Sequence, residues 1–528
     1  MRRFDLPGRS PVIAENGAAA TSHPLASATA LAVLREGGNA VDAALAASAT
    51  LAVVEPQMTG IGGDCFAIVA QPDGTVHGLN GSGRSARAIE EGWFADNGFD
   101  TIPHHSPHAV TVPGAVKAWE TLHQRFGKLD FVRLFADAIG YAENGFAVAP
   151  RVADDWQDEV ETLKRDAGAR RHLLVNDAAP KAGDRMRFPA LAGTLSTIAA
   201  KGAAGFYEGA VAREIAETVQ EKGGFLAKDD LAAVTADWVE PIGVDYAGYR
   251  VLELPPSGQG MVALILFNLL DRLGTRRMAP DSLERYHHEV EAARLAYSVR
   301  DAMLADPDHM TVSVERLISR DYAEELAAQI DPERRNPEIR VPEIPNADTT
   351  YLTVVDGNGM AVSFINSVFA AFGSQIVTPE SGVVLQNRGA CFRVETGHPN
   401  AIASGKRPLH TIIPAMVMKD GLPAVSFGVM GGAYQPMGHG HVLSNLLDHG
   451  MDPQEALDHP RVFWNGEGTL GLEAGVSAGV AQGLRAMGHG VAEAASPWGG
   501  GQMIAIDRER GFFTAGSDPR KDGQAVGY

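Results

Sequence analysis

The chain has 528 residues, 45% hydrophobic and 21% charged, the balance of an ordinary globular protein, which argues against wholesale disorder. Its formal net charge of −20 repels phosphate backbones and anionic lipid headgroups, so no nucleic acid and no membrane is expected as a partner. Two cysteines, Cys65 and Cys391, cannot build a disulfide framework and lie in no zinc-ligand pattern. The start, MRRFDLPGRSPVIAENG, places Asp5, Pro7 and Glu15 where a secretory signal needs an apolar run of about 7–15 residues. The most apolar stretch, Ala40 to Val54, carries Asp42 and Ser48 and falls short of the ~18 residues of a membrane helix. A soluble, cytoplasmic protein is the expectation.

In chain order, Pro24 to Glu36 reads as a helix, with proline at its start and Gly37-Gly38-Asn39 as its stop. Ala40 to Val54 reads as a second. Both are rich in Ala, Ser and Thr, which suits helices packed closely between other layers. Thr59 to Gly83 reads as a glycine loop, a strand, an Asp73-Gly74 turn and a second strand. Helical spacing returns over Ala115 to Gln124, Phe131 to Gly145, Leu191 to Gly202, Val211 to Lys222 and Ser282 to Leu304, predicting a mostly helical chain with scattered strands. Prolines 332, 337, 342 and 345 forbid regular structure from Asp331 to Asp348 and predict an extended, exposed loop. Beyond it, TTYLTVVDGNGMAVSFINSVF from Thr349 to Phe369 predicts a hairpin around Asp-Gly-Asn-Gly. No repeat of ~20–50 residues is present, which argues against solenoids and propellers.

The junction between that loop and the hairpin is where chemistry could arise. A threonine hydroxyl is a feeble nucleophile alone, but a cut before Thr349 would give it its own α-amino group, whose reference pKa of ~7.7–8.0 suits a general base. Locally, Thr349 and Thr350 read as ordinary strand threonines.

The block from Asp348 to Phe392 resembles the small-subunit start of the γ-glutamyltransferase (glutathione hydrolase) family. The similarity extends to GKRPLHTIIPAMV (Gly405 to Val417), FGVMGGAYQP, the ending SDPRKDGQAVGY and, earlier, GIGGDCF, TVPGAVKAW and ELPPSGQG in the same order, so it spans nearly the whole chain. It implies an α+β, four-layer αββα sandwich of the N-terminal-nucleophile hydrolase type. It also implies a precursor that cuts itself into residues 1–348 and 349–528, which stay associated as one intertwined catalytic domain. The implied reaction is cleavage of the amide bond of γ-glutamyl compounds such as glutathione through an acyl-enzyme, with no cofactor and no metal; a homo-oligomer is compatible. Carried over residue by residue, Thr349 is the nucleophile, Gly431 and Gly432 hold the oxyanion, Ser367 supports the nucleophile and Thr350 lies beside the cut.

The chain also departs from the family. The Arg that holds the substrate α-carboxylate falls near Asn80, with Arg84 or Arg87 as substitutes. The acid that should meet the α-amino group is replaced after Asn387 by Arg388, a serine pair becomes His410-Thr411, and an asparagine becomes Phe369. A positive Arg388 repels an ammonium and favours a substrate bearing only a carboxylate, such as oxamate or a dicarboxylic acyl amide. The NRGxxF and PLHT variants resemble a divergent branch that includes an oxamate amidohydrolase. A non-catalytic binding protein of the same fold is the other alternative. His439-x-His441 lacks the companions of a metal site, His104-His105 and His287-His288 read as surface pairs, and no G-x-G-x-x-G follows a strand.

Overall fold

Along the Thr349–Phe369 hairpin, Tyr351, Val355, Ala361 and Ile365 point one way and Leu352, Val354, Val362 and Phe364 the other, and both sets are buried. A strand apolar on both faces must be covered on both. The computed structural model, which describes residues 8–339, 348–465 and 468–528, shows how. The strands of its two large sheets are β1 (Val12–Ala14), β2 (Gly17–Thr21), β3 (Asp64–Ala70), β4 (Val76–Gly81), β5 (Asp237–Val239), β6 (Ile242–Tyr246), β7 (Tyr249–Glu253), β8 (Asp348–Asp356), β9 (Ala361–Phe369), β10 (Ala415–Lys419), β11 (Leu422–Met430), β12 (Gly500–Asp507), β13 (Phe512–Ser517) and β14 (Gln524–Gly527). One antiparallel sheet runs β14-β2-β8-β9-β3-β4-β5 and the other β1-β13-β12-β11-β10-β7-β6.

Three cores fill the three spaces between four layers. Ala18, Phe66, Tyr351, Ile365, Met416 and Ile504 meet between the sheets. Outside the first sheet, α1 (Pro24–Arg35), α2 (Ala40–Val54) and α3 (Ala115–Phe126) cover Ala67, Leu352, Val354 and Phe364. Outside the second, α4 (Gly260–Leu273), α5 (Leu283–Met303) and α6 (Gln435–Leu447) cover Val251, Val417, Phe427 and Met503. This is the expected α+β, αββα sandwich. Both sheets contain strands from before and from after position 348, so neither part forms a sheet of its own.

The predicted helices appear within a few residues, except that Phe131 to Gly145 is divided into Phe131–Leu134 and Ala136–Asn144. The expectation of scattered strands is corrected. β6 and β13 are short, and β12 opens on Gly500-Gly501 and is buried over its first five residues, so none offers a long run of the alternation that marks a half-buried strand. His287 and His288 are buried rather than on the surface: His287 bonds the Asp331 carbonyl and His489, and His288 the Glu284 carbonyl. The described part of the proline loop, up to Ile339, is turns and irregular chain; residues 340–347 lie outside the described residues.

The sheets pack tightly where β11 crosses β8. A Cβ on Gly428 would stand 2.4 Å from the Tyr351 ring. Gly428→Ala therefore forces the sheets apart and is expected to cost about 1–3 kcal/mol, read as a lower midpoint in thermal or urea unfolding.

Candidate active site

Thr349 is the second residue of β8, and the β8–β9 register shifts between Asp348 and Thr350. Its side chain is buried, and Oγ1 donates a hydrogen bond to Ser367 Oγ on β9 at 3.2 Å. Ser367 Oγ also accepts the Phe369 N–H at 2.8 Å and Arg388 Nη2 at 3.3 Å. Thr350 bonds differently: its hydroxyl donates to the Asn366 carbonyl at 3.2 Å, and its neighbour Leu352 belongs to the helix-side core.

Arg388 opens a short turn, Arg388–Cys391, and is wholly buried. Nη1 donates to Thr411 Oγ1 at 2.7 Å, and the guanidinium carbon sits 4.4 Å from the centre of the Phe369 ring. Among the described residues no carboxylate lies within ion-pairing distance of it, and its Nε has no acceptor. Burial pulls its pKa below the ordinary guanidinium value, with Cys391 and Asp64 opposing that trend. A guanidinium still keeps its proton at neutral pH, so this is a buried cation held by hydroxyls and a ring face.

Asp64, which pairs across the sheet with Ser367, organises the wall behind. Its Oδ1 accepts the backbone N–H groups of Gly83 and Gly114, each at 3.0 Å, and Gln386 Nε2 at 2.9 Å; its Oδ2 meets His410 Nε2 at 2.9 Å. His410 is thus turned toward Asp64, while its neighbour Thr411 faces Arg388. Burial, reinforced by the nearby Arg388 charge, pushes the His410 pKa down to about 4.

Gly431 and Gly432 follow β11 with φ of +119° and +55°, and a Cβ on Gly431 would approach Gly499 Cα to 2.8 Å. Thr353 Oγ1 bonds Ser426 Oγ between the sheets, and Tyr351 lies against Gly428. Going two residues further along each strand leads toward Thr349 on β8, past the register irregularity, and toward Met430 and the glycine turn on β11. Neither glycine N–H has a side-chain or loop acceptor among the described residues. Gln259 Nε2 holds this turn to the Arg388 side by donating to the carbonyls of Gly432 at 2.9 Å and Thr411 at 2.7 Å.

The remaining predicted binding residues divide. Asn387 shapes the turn after β9, accepting the Ala370 N–H at 3.1 Å and donating to the His104 carbonyl at 3.2 Å. Asn80 is buried on β4, and its Oδ1 accepts the Ser82 N–H at 2.9 Å. Arg84 does not join the Thr349 cluster: it donates to the Gly405 carbonyl at 3.0 Å, pairs with Asp306 at 3.5 Å, and with Arg87 borders a separate cavity of about 260 Å³. Arg84 and Arg87, the expected substitutes for the family arginine, thus both line that cavity. Asp64, Gln259 and Gln386 were legible only as members of family-like segments. His439 bonds Glu253 at 2.7 Å and His441 bonds Glu289 at 2.9 Å, and no metal-holding group of three ligands occurs among the described residues.

Two cavities of about 540 Å³ each border this cluster. Phe369, Cys391 and Thr411 line one; Ala370, Gly431 and Tyr434 line the other; His104 touches both.

A four-layer sandwich with a buried threonine near the head of a central strand defines an N-terminal-nucleophile hydrolase fold. The chain belongs to the gamma-glutamyltranspeptidase family, whose sequence pattern matches residues 26–528. It is 37% identical over 516 residues to a glutathione hydrolase-like proenzyme of Bacillus subtilis (strain 168), covering 96% of this chain and 97% of the relative. It is 35% identical over 533 residues to the oxamate amidohydrolase proenzyme of Klebsiella pneumoniae, covering 98% and 99%. The crystal structure of a cephalosporin acylase from Bacillus halodurans superposes with a TM-score of 0.93 at 38% identity, covering 100% of this chain and 99% of that one.

His410 carries a testable signature. With its folded pKa near 4 and a reference near 6.5, the unfolded chain binds the extra proton between those values. Its contribution to stability is full above pH 6.5 and is lost as pH falls toward 4. Buried His23, also near 4, acts in the same direction. Proton uptake on unfolding, measured from the pH dependence of urea midpoints, should fall by about one in this window in His410→Gln.

Proposed function

We propose that the chain is a self-processing amidohydrolase whose nucleophile is Thr349 and whose acyl substrate carries a carboxylate and no neighbouring ammonium. The observation that carries this reading is the buried Arg388 guanidinium, 3.3 Å from Ser367 Oγ and without a carboxylate of its own. The word proenzyme in the names of both curated relatives supports processing, and the oxamate amidohydrolase supports the acidic substrate.

In processing, Thr349 Oγ1 attacks the Asp348 carbonyl, the peptide C–N bond breaks with the proton passing to nitrogen, and water hydrolyses the resulting ester. The products are the Asp348 carboxylate and a free α-amino group on Thr349. In turnover that amino group takes the hydroxyl proton as Oγ1 attacks the substrate amide, then returns it to the departing amine. Ser367 orients Oγ1. The N–H groups of the Gly431-Gly432 turn meet the developing oxyanion, a contact whose removal typically costs about 2.7–4 kcal/mol. Water then attacks the acyl-enzyme and regenerates Thr349. Arg388 and Thr411 receive the substrate carboxylate by charge-assisted hydrogen bonds. A γ-glutamyl head adds an ammonium, which Arg388 repels.

Wild-type protein on a denaturing gel should give bands of about 37 and 19 kDa, the shares of 55.9 kDa held by residues 1–348 and 349–528. Thr349→Ala should give one uncut band and no amide hydrolysis. Two bands from that variant would overturn the reading. Arg388→Met should lower kcat/KM for oxamate-like amides by about 100-fold or more, from the loss of a buried charged contact. Wild type should release ammonia from oxamate faster than glutamate from glutathione; the reverse order would remove the argument from Arg388.

A further inference from the structure

The carbonyl attacked by Thr349 has three substituents, and each needs its own place. On the reading above, the acyl chain runs to Arg388 and Thr411 and the oxygen to the glycine turn. The nitrogen and whatever it bears are left the second cavity, which begins at Ala370 and Gly431. That cavity holds about 540 Å³. Ammonia, the leaving group of a primary amide, is comparable to one water at about 30 Å³ and would leave nearly all of it unused.

The walls say what suits it. One is aromatic: Phe463 packs edge-on against Tyr434 at 5.1 Å and Trp498 at 5.6 Å. Trp498 is half-buried, and its indole N–H is already bonded to the Gly471 carbonyl at 2.9 Å, so what it offers a ligand is ring surface. Asp155, Asp158 and Glu159 also line the cavity, with two cations. Both cations are directed at Asp155: Arg151 at 2.6 Å and Lys521 at 3.7 Å. Glu159 meets the neutral Gln375 amide at 2.6 Å, and Asp158 has no ion-pair partner among the described residues. His104 and His105 at the rim are held below the usual histidine range by burial and add little positive charge at neutral pH. The wall is net negative, and it disfavours an amine that carries a carboxylate.

We infer that the second cavity is a leaving-group subsite for an amine that bears an aromatic ring and no carboxylate, so that the substrate is a secondary amide joining an acidic acyl group to such an amine. This deepens the proposed function and rests on Thr349 as the nucleophile.

The test uses one acidic acyl group in four forms: the primary amide, methylamide, benzylamide and the amide to glycine. Benzylamine and methylamine are similar leaving groups, so differences report binding. Wild type should favour the benzylamide over the methylamide by about 10-fold in kcat/KM, as burial of an aromatic ring supports. The glycine amide should be slowest. Trp498→Ala should erase the benzylamide advantage, mainly through KM, while leaving the primary amide within about twofold; Trp498→Phe should restore most of it. Asp158→Asn should improve the glycine amide. Equal rates for benzylamide and methylamide, or an equal loss on all four amides in Trp498→Ala, overturn the inference while leaving the nucleophile intact. Benzylamine binding, followed by tryptophan fluorescence, reads the subsite without turnover. Binding that depends on Trp498 in a protein that cleaves no amide would sustain the subsite and refute the proposed function; no binding at millimolar concentration would refute the subsite.

Discussion

The Asp64 carboxylate draws together the chain around the site. It is wholly buried and receives donors from Gly83, Gly114, Gln386 and His410, four segments distant from it and mostly from one another in sequence. A carboxylate with that many partners is stable in a protein interior, whereas the same group with one donor missing is costly. The glycines at 83 and 114 are tied to this arrangement by space as well: a Cβ on Gly83 would fall 1.5 Å from the Val112 carbonyl oxygen, and one on Gly114 2.0 Å from that of Gly81. β3 therefore carries a fixed negative charge behind the cluster, and Ser367 on β9 stands at the same level of the sheet.

Charge in the cluster is arranged in two tiers. Asp64 satisfies itself with neutral or weakly basic donors and makes no ion pair with Arg388, which is held by Ser367, Thr411 and the face of Phe369. Direct pairing would cancel the cation. Separation leaves it attractive to an incoming anion, with Asp64 near enough to offset part of its desolvation. The identity of residue 369 contributes here, because an aromatic ring can support a guanidinium face where an amide would compete for its hydrogen bonds.

What was legible in the sequence divides by range. The hairpin, α1 and α2 follow from short-range signals: Asp-Gly-Asn-Gly turn chemistry, a proline start and a glycine stop. Much of the second sheet was not legible, because its strands are short or open on glycines and offer little of the alternation that identifies a strand. Thr349, Ser367 and the glycine turn came from family-like motifs, and the crossing of β8 and β11 leads them toward the same end of the sandwich. Arg388 could be read as a departure from the family pattern, but its burial could not, since that depends on β9, the Asn387 turn and the 410–411 segment meeting. His410 and Thr411 are adjacent in sequence yet serve different partners. Gln259 was legible only within a family-like segment; its two bonds to Gly432 and Thr411 exist only once the chain is folded.

The mixing of early and late strands within both sheets has a mechanical consequence. Severing the connection before Thr349 would remove one covalent bond from a fabric stitched across that point by β2 against β8, β3 against β9, β7 against β10 and β1 against β13. The two pieces would be locked like dovetailed boards, and prising them apart would mean tearing both sheets lengthwise. A threonine amine could thus be exposed at the heart of the molecule without loosening the walls that aim it.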